Sequence, residues 1–239
     1  MFTFPMPRAC MPMPFIIVIP VYQGVTQLDF TGPHQFFSQL PDTLVIVASV
    51  AGRSVEANGL EFSSLADLTT IDQCDLLCVP GGGGCVAAIE DLCYMTAIRR
   101  LAAGARYVTS VCTGSLILGA AGLLVGKRAA CHWAWRDMLP LFGAIPDDGR
   151  VVRDGNIITG GGVTAGIDFA LVVINELFGE LVAQSIQLGL EYAPQPPFNA
   201  GRPESASPLV HDTVMAKNRE SAAVRREMLV KAAQSLRVA

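Results

Sequence analysis

The stretch RYVTSVCTGSLILGAAGLL, residues 106–124, decides the fold of this chain. Its first six residues are rich in β-branched side chains, which is typical of a short strand buried on both faces. The small and apolar residues of 113–124 predict a helix directly after that strand. Cys112 lies at the junction, and Gly114 permits the sharp reversal of the backbone that such a junction needs.

Three other runs have the same strand-like character. They are FIIVIPVY (15–22), TLVIVASV (43–50) and DLLCVP (75–80). Helical patterns lie between these runs, namely HQFFSQL (34–40), which we expect to begin at Pro33, and residues 86–103. This alternation predicts an α/β fold with a doubly wound, mostly parallel sheet flanked by helices, and ligands bound beyond the carboxyl ends of its strands.

Two segments outside this alternation carry hairpin signals. An Asn-Gly turn divides residues 53–63, and VVRDGNIITGG spans residues 151–161. A helix from Thr164 to about Phe178 and a second helix to Tyr192 are expected after the second hairpin.

The chain divides into one domain and two appendages. Proline-rich residues 1–14 are expected to be a disordered extension, 15–200 to be the catalytic domain, and 201–239 to be a linker with a C-terminal amphipathic helix. The apolar face expected for that helix consists of Val224, Met228, Ala232 and Leu236. This face should pack on the chain's own body or across a dimer.

Composition limits the possible partners. The 239 residues are 51% hydrophobic and 16% charged, with a net charge of −4, and no basic block suggests nucleic-acid binding. No apolar run reaches the roughly 18 residues of a membrane helix. The prolines around Arg8 argue against a secretion signal, so a cytoplasmic location is expected.

The cysteines do not form a metal-binding pattern. There are seven, with no CxxC pair, and Cys74 and Cys78 lack a matching His or Cys pair at zinc-site spacing. We expect reduced thiols and no metal. We also expect no cofactor, because neither a P-loop nor a G-x-G-x-x-G stretch opens the first helix.

Cys112 is the candidate nucleophile. A cysteine at a helix N-terminus is favoured as the thiolate by the helix dipole, so its pKa should lie below its ordinary value. The other possibility is a buried structural cysteine, which is our expectation for most of the remaining six. The position of Cys112 at the carboxyl end of a strand favours a functional role.

Two further features are expected at the same rim of the sheet. The glycines of VPGGGG (79–84) can point backbone N–H groups at a developing negative charge, with Gly82 and Gly83 as the candidate donors, although a tight βα turn explains the run almost as well. Asp29, expected in the loop after the first strand, is a candidate acid or base, or else the N-cap of the next helix.

Several separated motifs together resemble the ThiJ/PfpI superfamily. They are QLDFTGP (27–33), VPGGGG (79–84), residues 105–124 with HW at 132–133, and VVRDGNIITGGGVTAGIDFA (151–170). The resemblance covers about residues 15–200 and implies a flavodoxin-like fold. It is closest to the branch that hydrates isonitriles, since that branch has an aspartate where most members have a glutamate.

The resemblance implies roles for individual residues. Cys112 is then the nucleophile, Asp29 the acid and base, and Thr113 a supporting residue beside the site. Thr113 stands where protease-like members carry a histidine, which disfavours a Cys-His hydrolase. His132 is either close to the site or a structural histidine beside Trp133. A homodimer is also implied.

The resulting hypothesis is the addition of water to an isonitrile, giving an N-substituted formamide through a thioimidate on Cys112, with Asp29 as general acid and base. A neutral isonitrile needs an apolar pocket without a charged clamp. The alternatives are a redox sensor or glyoxalase-like stress protein that uses Cys112, and a transcriptional regulator, for which the C-terminal segment is short.

Overall fold

The four strand-like runs form the centre of one seven-stranded sheet. The computed structural model describes residues 13–236, without the side chains of residues 217–222 and 235–236. The extension predicted for residues 1–14 therefore lies almost entirely outside the described residues.

The strands and helices follow one another in the expected alternation. The strands are β1 (Phe15–Pro20), β2 (Thr43–Ser49), β3 (Val55–Ala57), β4 (Leu60–Phe62), β5 (Ala66–Asp67), β6 (Leu76–Val79), β7 (Tyr107–Val111), β8 (Arg128–Ala129), β9 (Ile145–Pro146), β10 (Val151–Asp154) and β11 (Ile157–Gly160). The α-helices are α1 (Gln27–Phe37), α2 (Cys85–Glu90), α3 (Leu92–Gly104), α4 (Gly114–Ala120), α5 (Ala165–Phe178), α6 (Glu180–Gly189) and α7 (Pro208–Leu236). The 3-10 helices are Val50–Gly52, Leu68–Thr70 and Arg136–Phe142.

The sheet has the strand order β10-β11-β7-β6-β1-β2-β5. Its strands pair in parallel except for β10, which is antiparallel to β11. The chain leaves β1 toward β2 and later returns to β6 on the other side of β1, so the winding reverses between β1 and β6. The predicted fold class is confirmed, and the carboxyl ends of β1, β6 and β7 meet at this reversal.

The central strands are buried as the sequence predicts. Ile17, Val18 and Ile19 of β1 have no exposed surface. Burial of each such side chain contributes about 1.5–3 kcal/mol, which fixes the register of β1 between β2 and β6. Both predicted hairpins form, as β3-β4 and β10-β11.

The first helix begins earlier than predicted. We expected it to begin at Pro33, but α1 begins at Gln27 with Thr26 as its N-cap, and Pro33 lies inside it. A proline inside a helix removes one hydrogen bond, and here its ring packs against Gly166 of α5. Tertiary packing therefore outweighs the local signal, and Asp29 lies in the first turn of α1 rather than in a loop.

Other boundaries differ in smaller ways. The helix predicted over 86–103 is interrupted at Asp91, whose side chain accepts hydrogen bonds from the backbone N–H groups of Cys93 and Tyr94 and so caps α3. The helix expected to reach Tyr192 ends at Gly189.

The C-terminal helix α7 packs on the chain's own body, against α2, α4 and the 3-10 helix Arg136–Phe142. Among the described side chains of this helix, those of Leu229 and Ala233 are buried. The apolar face expected for this helix is confirmed at Met228 and Ala232, which pack against the core, and is wrong at Val224, which is 59% exposed. The side chain of Leu236 lies outside the described residues. Residues four apart drift by about 40° around a helix, so a row that starts at Val224 leaves the contact surface.

Candidate active site

Cys112 lies at a strained turn between β7 and α4. Its φ of 59° is in the left-handed region, and its backbone N–H donates to the carbonyl oxygens of Gly160 at 3.0 Å and Gly161 at 2.8 Å. Gly114 starts α4 directly against β6, where a Cβ would overlap the carbonyl oxygen of Val79. A non-glycine residue held at positive φ is typical of a functional site that its surroundings support.

Asp29 reaches this turn from the first turn of α1. Its side chain is fully buried, and its Oδ2 accepts a hydrogen bond from the backbone N–H of Gly81 at 3.0 Å. Oδ1 has no hydrogen-bond partner among the described residues. The alternative role as N-cap is wrong, because Thr26 occupies that position.

Burial raises the pKa of Asp29 from 3.8 to about 7. Interaction with the Cys112 thiol and the hydrogen bond from Gly81 act in the opposite direction and offset part of this rise. A carboxyl group with a pKa near neutrality can both give and take a proton under ordinary conditions.

The expected thiolate at Cys112 is not favoured in the resting site. Burial raises the pKa of Cys112 well above its ordinary value, and nearby Asp29 and Cys131 raise it further. Backbone N–H groups of Val163 and Thr113 lower the pKa, but by less than these effects raise it. The prediction of a lowered pKa failed because α4 begins only at Gly114 and the sulfur is removed from water.

Thr113 joins the turn to the glycine run after β6. Its Oγ1 accepts a hydrogen bond from the N–H of Gly82 at 2.8 Å and lies 3.2 Å from the carbonyl oxygen of Gly82, to which it donates. Gly83, the other predicted donor, is exposed to solvent. In this structure the N–H groups of Gly81 and Gly82 are used to hold the side chains of Asp29 and Thr113.

Sequence reasoning missed two residues of the site. Gly81 is one, since a Cβ there would lie 2.7 Å from Thr113 Oγ1 and 2.8 Å from Asp29 Oδ2. Its signal was present in the run VPGGGG, but that run does not indicate which glycine meets the carboxyl. Val163 is the other, because its backbone N–H acts on the Cys112 sulfur and leaves no trace in the type of side chain.

His132 is half-buried beside the site. Its Nδ1 accepts the backbone N–H of Ala134 at 3.2 Å, and its ring stacks on Trp133 with 5.8 Å between the ring centroids. Burial lowers the pKa of His132, so the neutral imidazole is favoured. The side chain closely approaches Gly162, near Val163.

A cavity of about 190 Å³ adjoins this region. Its walls include Gly161 and Val163, which contact Cys112, together with Cys131, His132 and Trp133. The lining also contains charged residues, so the expectation of a pocket without charged groups is wrong for this cavity. The charged residues are Arg136, Asp148, Arg150, Arg202 and Glu204.

The C-terminal segment forms one side of this cavity. Residues 201–204 line it, and the ring of His211 in α7 lies 5.7 Å from that of Trp133. The segment that sequence reasoning left without a role therefore contributes to the surroundings of the nucleophile.

The described residues contain no cluster of three or more His, Cys, Asp or Glu side chains arranged to hold a metal ion. The six cysteines among them are free thiols. None of the described helices combines the length and the apolar character needed to cross a membrane.

The chain is similar to known proteins over most of its length. A family model described as DJ-1/PfpI matches residues 16–176. The chain is 50% identical over 220 residues to the isonitrile hydratase of Pseudomonas putida, a match that covers 90% of this chain and 95% of that protein.

Solved structures are also similar to this chain in fold. A ThiJ/PfpI family protein from Pseudomonas syringae is similar with a TM-score of 0.86 and 40% identity, covering 92% of this chain and 90% of that one. Drosophila melanogaster DJ-1beta is similar in fold, with a TM-score of 0.68 and 24% identity, covering 76% of this chain and all of that one.

Proposed function

This chain belongs to the DJ-1/PfpI family, and we propose that it is an enzyme that adds water to an isonitrile to give an N-substituted formamide. The observation that carries the proposal is the buried contact of the Asp29 carboxyl with the Cys112 thiol, in a chain half identical to the isonitrile hydratase of Pseudomonas putida. Activity requires both a nucleophile and a proton carrier, and this pair supplies them.

Above neutral pH, the resting pair of Asp29 and Cys112 carries one proton, which lies on the sulfur. Because the pKa of Cys112 is raised well above its ordinary value and that of Asp29 is about 7, the neutral thiol beside a carboxylate is the reactive form above neutral pH. Asp29 Oδ1, which has no hydrogen-bond partner among the described residues, is the oxygen available to receive the thiol proton.

The first step forms the covalent intermediate. Asp29 takes the thiol proton while the sulfur of Cys112 forms a bond to the terminal carbon of the isonitrile. The same proton then passes from Asp29 to that carbon, giving a thioimidate and restoring the carboxylate. The backbone N–H groups of Val163 and Thr113 stabilise the negative charge that develops on sulfur during the attack.

The second step consumes water. A water molecule gives one proton to Asp29 while the water oxygen adds to the thioimidate carbon. Asp29 then gives that proton to the substrate nitrogen. The carbon–sulfur bond breaks to release the formamide, and the hydroxyl proton returns through Asp29 to the sulfur. The protons move only between Asp29, Cys112, water and the substrate, and the atoms balance with one water added per isonitrile.

Thr113, Gly81 and Gly82 position the pair in this proposal. Gly81 fixes one oxygen of Asp29, and the Thr113–Gly82 hydrogen bonds hold the turn that carries Cys112. No proton step of this proposal uses His132 or Gly83; the Nδ1 of His132 accepts the N–H of Ala134, and Gly83 faces solvent.

The experiment is a direct assay of formamide production from a neutral isonitrile by purified protein. We expect turnover by the native enzyme and its loss in Cys112→Ala and in Asp29→Asn, with methylglyoxal as a control substrate. Turnover of methylglyoxal without turnover of isonitriles would favour the glyoxalase-like alternative, and inertness toward both would favour a redox sensor.

A homodimer and a cytoplasmic location accompany this proposal. The homodimer is what the resemblance to the family implies, and the cytoplasmic location is the expectation from the sequence. Analytical ultracentrifugation measures the oligomeric state, with a mass near twice the chain's 25.4 kDa as the expected result.

A further inference from the structure

The charged residues that line the cavity beside Cys112 differ in their exposure to solvent. Of its five charged lining residues, Asp148, Arg150, Arg202 and Glu204 are exposed, whereas Arg136 is half-buried. Arg136 is the first residue of the 3-10 helix Arg136–Phe142 and lies four positions after the cavity residue His132.

The two exposed arginines already have partners. Arg150 forms an ion pair with Asp168 and donates to the carbonyl oxygen of Thr164 at 3.1 Å. Arg202 donates to the backbone carbonyl of Asp148 at 3.0 Å. These contacts tie the loops around the cavity together and use two nitrogens of Arg150 and one of Arg202.

Arg136 differs from both. Within the part of the chain that the structure describes, no carboxylate lies within ion-pair distance of its guanidinium, and its N–H groups form no hydrogen bond. None of its guanidinium nitrogens is among the buried side-chain atoms without a partner, so these planar donors reach solvent and are available to a carboxylate ligand. The acidic residues of the lining, Asp148 and Glu204, are solvated and do not compensate it.

The cavity is placed to receive part of a substrate held at Cys112. Val163 lines the cavity and directs its backbone N–H at the Cys112 sulfur, and the carbonyl of Gly161, another lining residue, accepts the Cys112 N–H at 2.8 Å. The substituent on the isonitrile nitrogen points away from the attacked carbon, because an isonitrile is linear. The volume of about 190 Å³ suits a small substituent.

We propose that Arg136 binds a carboxylate on the isonitrile substituent, so that the preferred substrates are small isonitriles that carry a carboxylate rather than neutral hydrocarbon isonitriles. This inference rests on the proposed function, and it deepens that function by naming a substrate class. The guanidinium provides a bidentate partner for the carboxylate, while the isonitrile carbon lies at the sulfur.

The test compares isocyanoacetate with its neutral methyl ester. For the native enzyme we expect kcat/KM to be about tenfold higher for the carboxylate. Arg136→Gln should remove that advantage and change the rate with the ester by less than about threefold, while Arg136→Lys should keep part of it. Arg53→Gln, which removes an equal charge from an exposed position outside this cavity, is the matched control.

A binding measurement separates this inference from the proposed function. Calorimetry follows the product N-formylglycine binding to Cys112→Ala, with and without Arg136→Gln. Arg136-dependent binding without any isonitrile turnover would keep the anion site and reject the hydratase. Turnover of the ester at a rate equal to or above that of the carboxylate, with N-formylglycine binding unaffected by Arg136→Gln, would overturn the inference and leave the hydratase in place.

Discussion

The backbone N–H of Gly81 donates to Asp29 Oδ2 at 3.0 Å, while Oδ1 of the same carboxyl is buried with no hydrogen-bond partner among the described residues. One oxygen is therefore fixed and the other has no such bond, in a carboxyl group that interacts with the Cys112 thiol. An unsatisfied buried oxygen destabilises the fold, and such costs concentrate at functional sites. The site keeps a carboxyl group in an environment that leaves its proton easily moved.

The rate of hydration should depend on the protonation of the Asp29–Cys112 pair. Because the pKa of Asp29 is raised to about 7, acidification below neutrality protonates its carboxylate and blocks transfer of the thiol proton. We expect kcat/KM for a neutral isonitrile to fall about tenfold per pH unit below that pKa and to stay level well above it, since the pKa of Cys112 is also raised. A profile that rises on acidification would contradict the proposed proton path.

Asp29→Asn should stabilise the protein at alkaline pH. The unfolded chain loses the Asp29 proton near pH 4, whereas the folded chain keeps it until about pH 7, so the stability contributed by this group is present below pH 4 and is lost as the pH rises to 7. A pKa raised from 3.8 to about 7 corresponds to about 4 kcal/mol at most.

Denaturant unfolding at two pH values measures this effect. The gain in unfolding free energy for Asp29→Asn over the native protein should be about 2–4 kcal/mol at pH 8 and should shrink toward zero near pH 4. An equal difference at both pH values would show that burial does not raise the pKa of this carboxyl.

Gly81 should not tolerate a side chain, whereas Gly83 should. A Cβ at Gly81 would overlap the backbone nitrogen of Thr113 and lie 2.8 Å from Asp29 Oδ2, while a Cβ at Gly83 has nothing within 4 Å. Gly81→Ala is therefore expected to cost about 3 kcal/mol and to abolish activity. Gly83→Ala should change the unfolding free energy by less than about 0.5 kcal/mol and keep activity, and an inactive Gly83→Ala would contradict the position of Gly83 outside the site.

Thr113→Val tests the link between the glycine run and the nucleophile turn. The substitution keeps the shape of the side chain but leaves the buried N–H of Gly82 without its acceptor. We expect a loss of about 1–3 kcal/mol in unfolding free energy and a lower kcat, with Thr113→Ser close to the native protein in both. An unfolding free energy and a kcat of Thr113→Val equal to those of the native protein would indicate that the hydroxyl is dispensable.

Sequence reasoning placed Asp29 and Cys112 together because both follow parallel strands, and the carboxyl ends of such strands meet at one rim. It did not find the start of α1 at Gln27, since the proline signal at Pro33 is local and the compensating contact with Gly166 is not. The pKa of Cys112 was misjudged because burial of the sulfur depends on the whole fold.

The cavity could not be predicted from the sequence, because its lining also depends on the whole fold. Arg136 follows β8 and Arg202 belongs to the C-terminal segment, and nothing in either stretch of sequence indicates that the two line one space. Irregular segments carry no periodic signal, so their meeting point is set by tertiary packing alone.

The most direct test of a thioimidate on Cys112 is mass spectrometry of the protein quenched during turnover of a neutral isonitrile. The native chain is expected to gain the mass of one intact isonitrile, located on the peptide that contains Cys112, and to lose it again as formamide appears. Cys112→Ala should show neither the adduct nor the product. Formamide production by Cys112→Ala, or a productive adduct on another cysteine, would contradict the account.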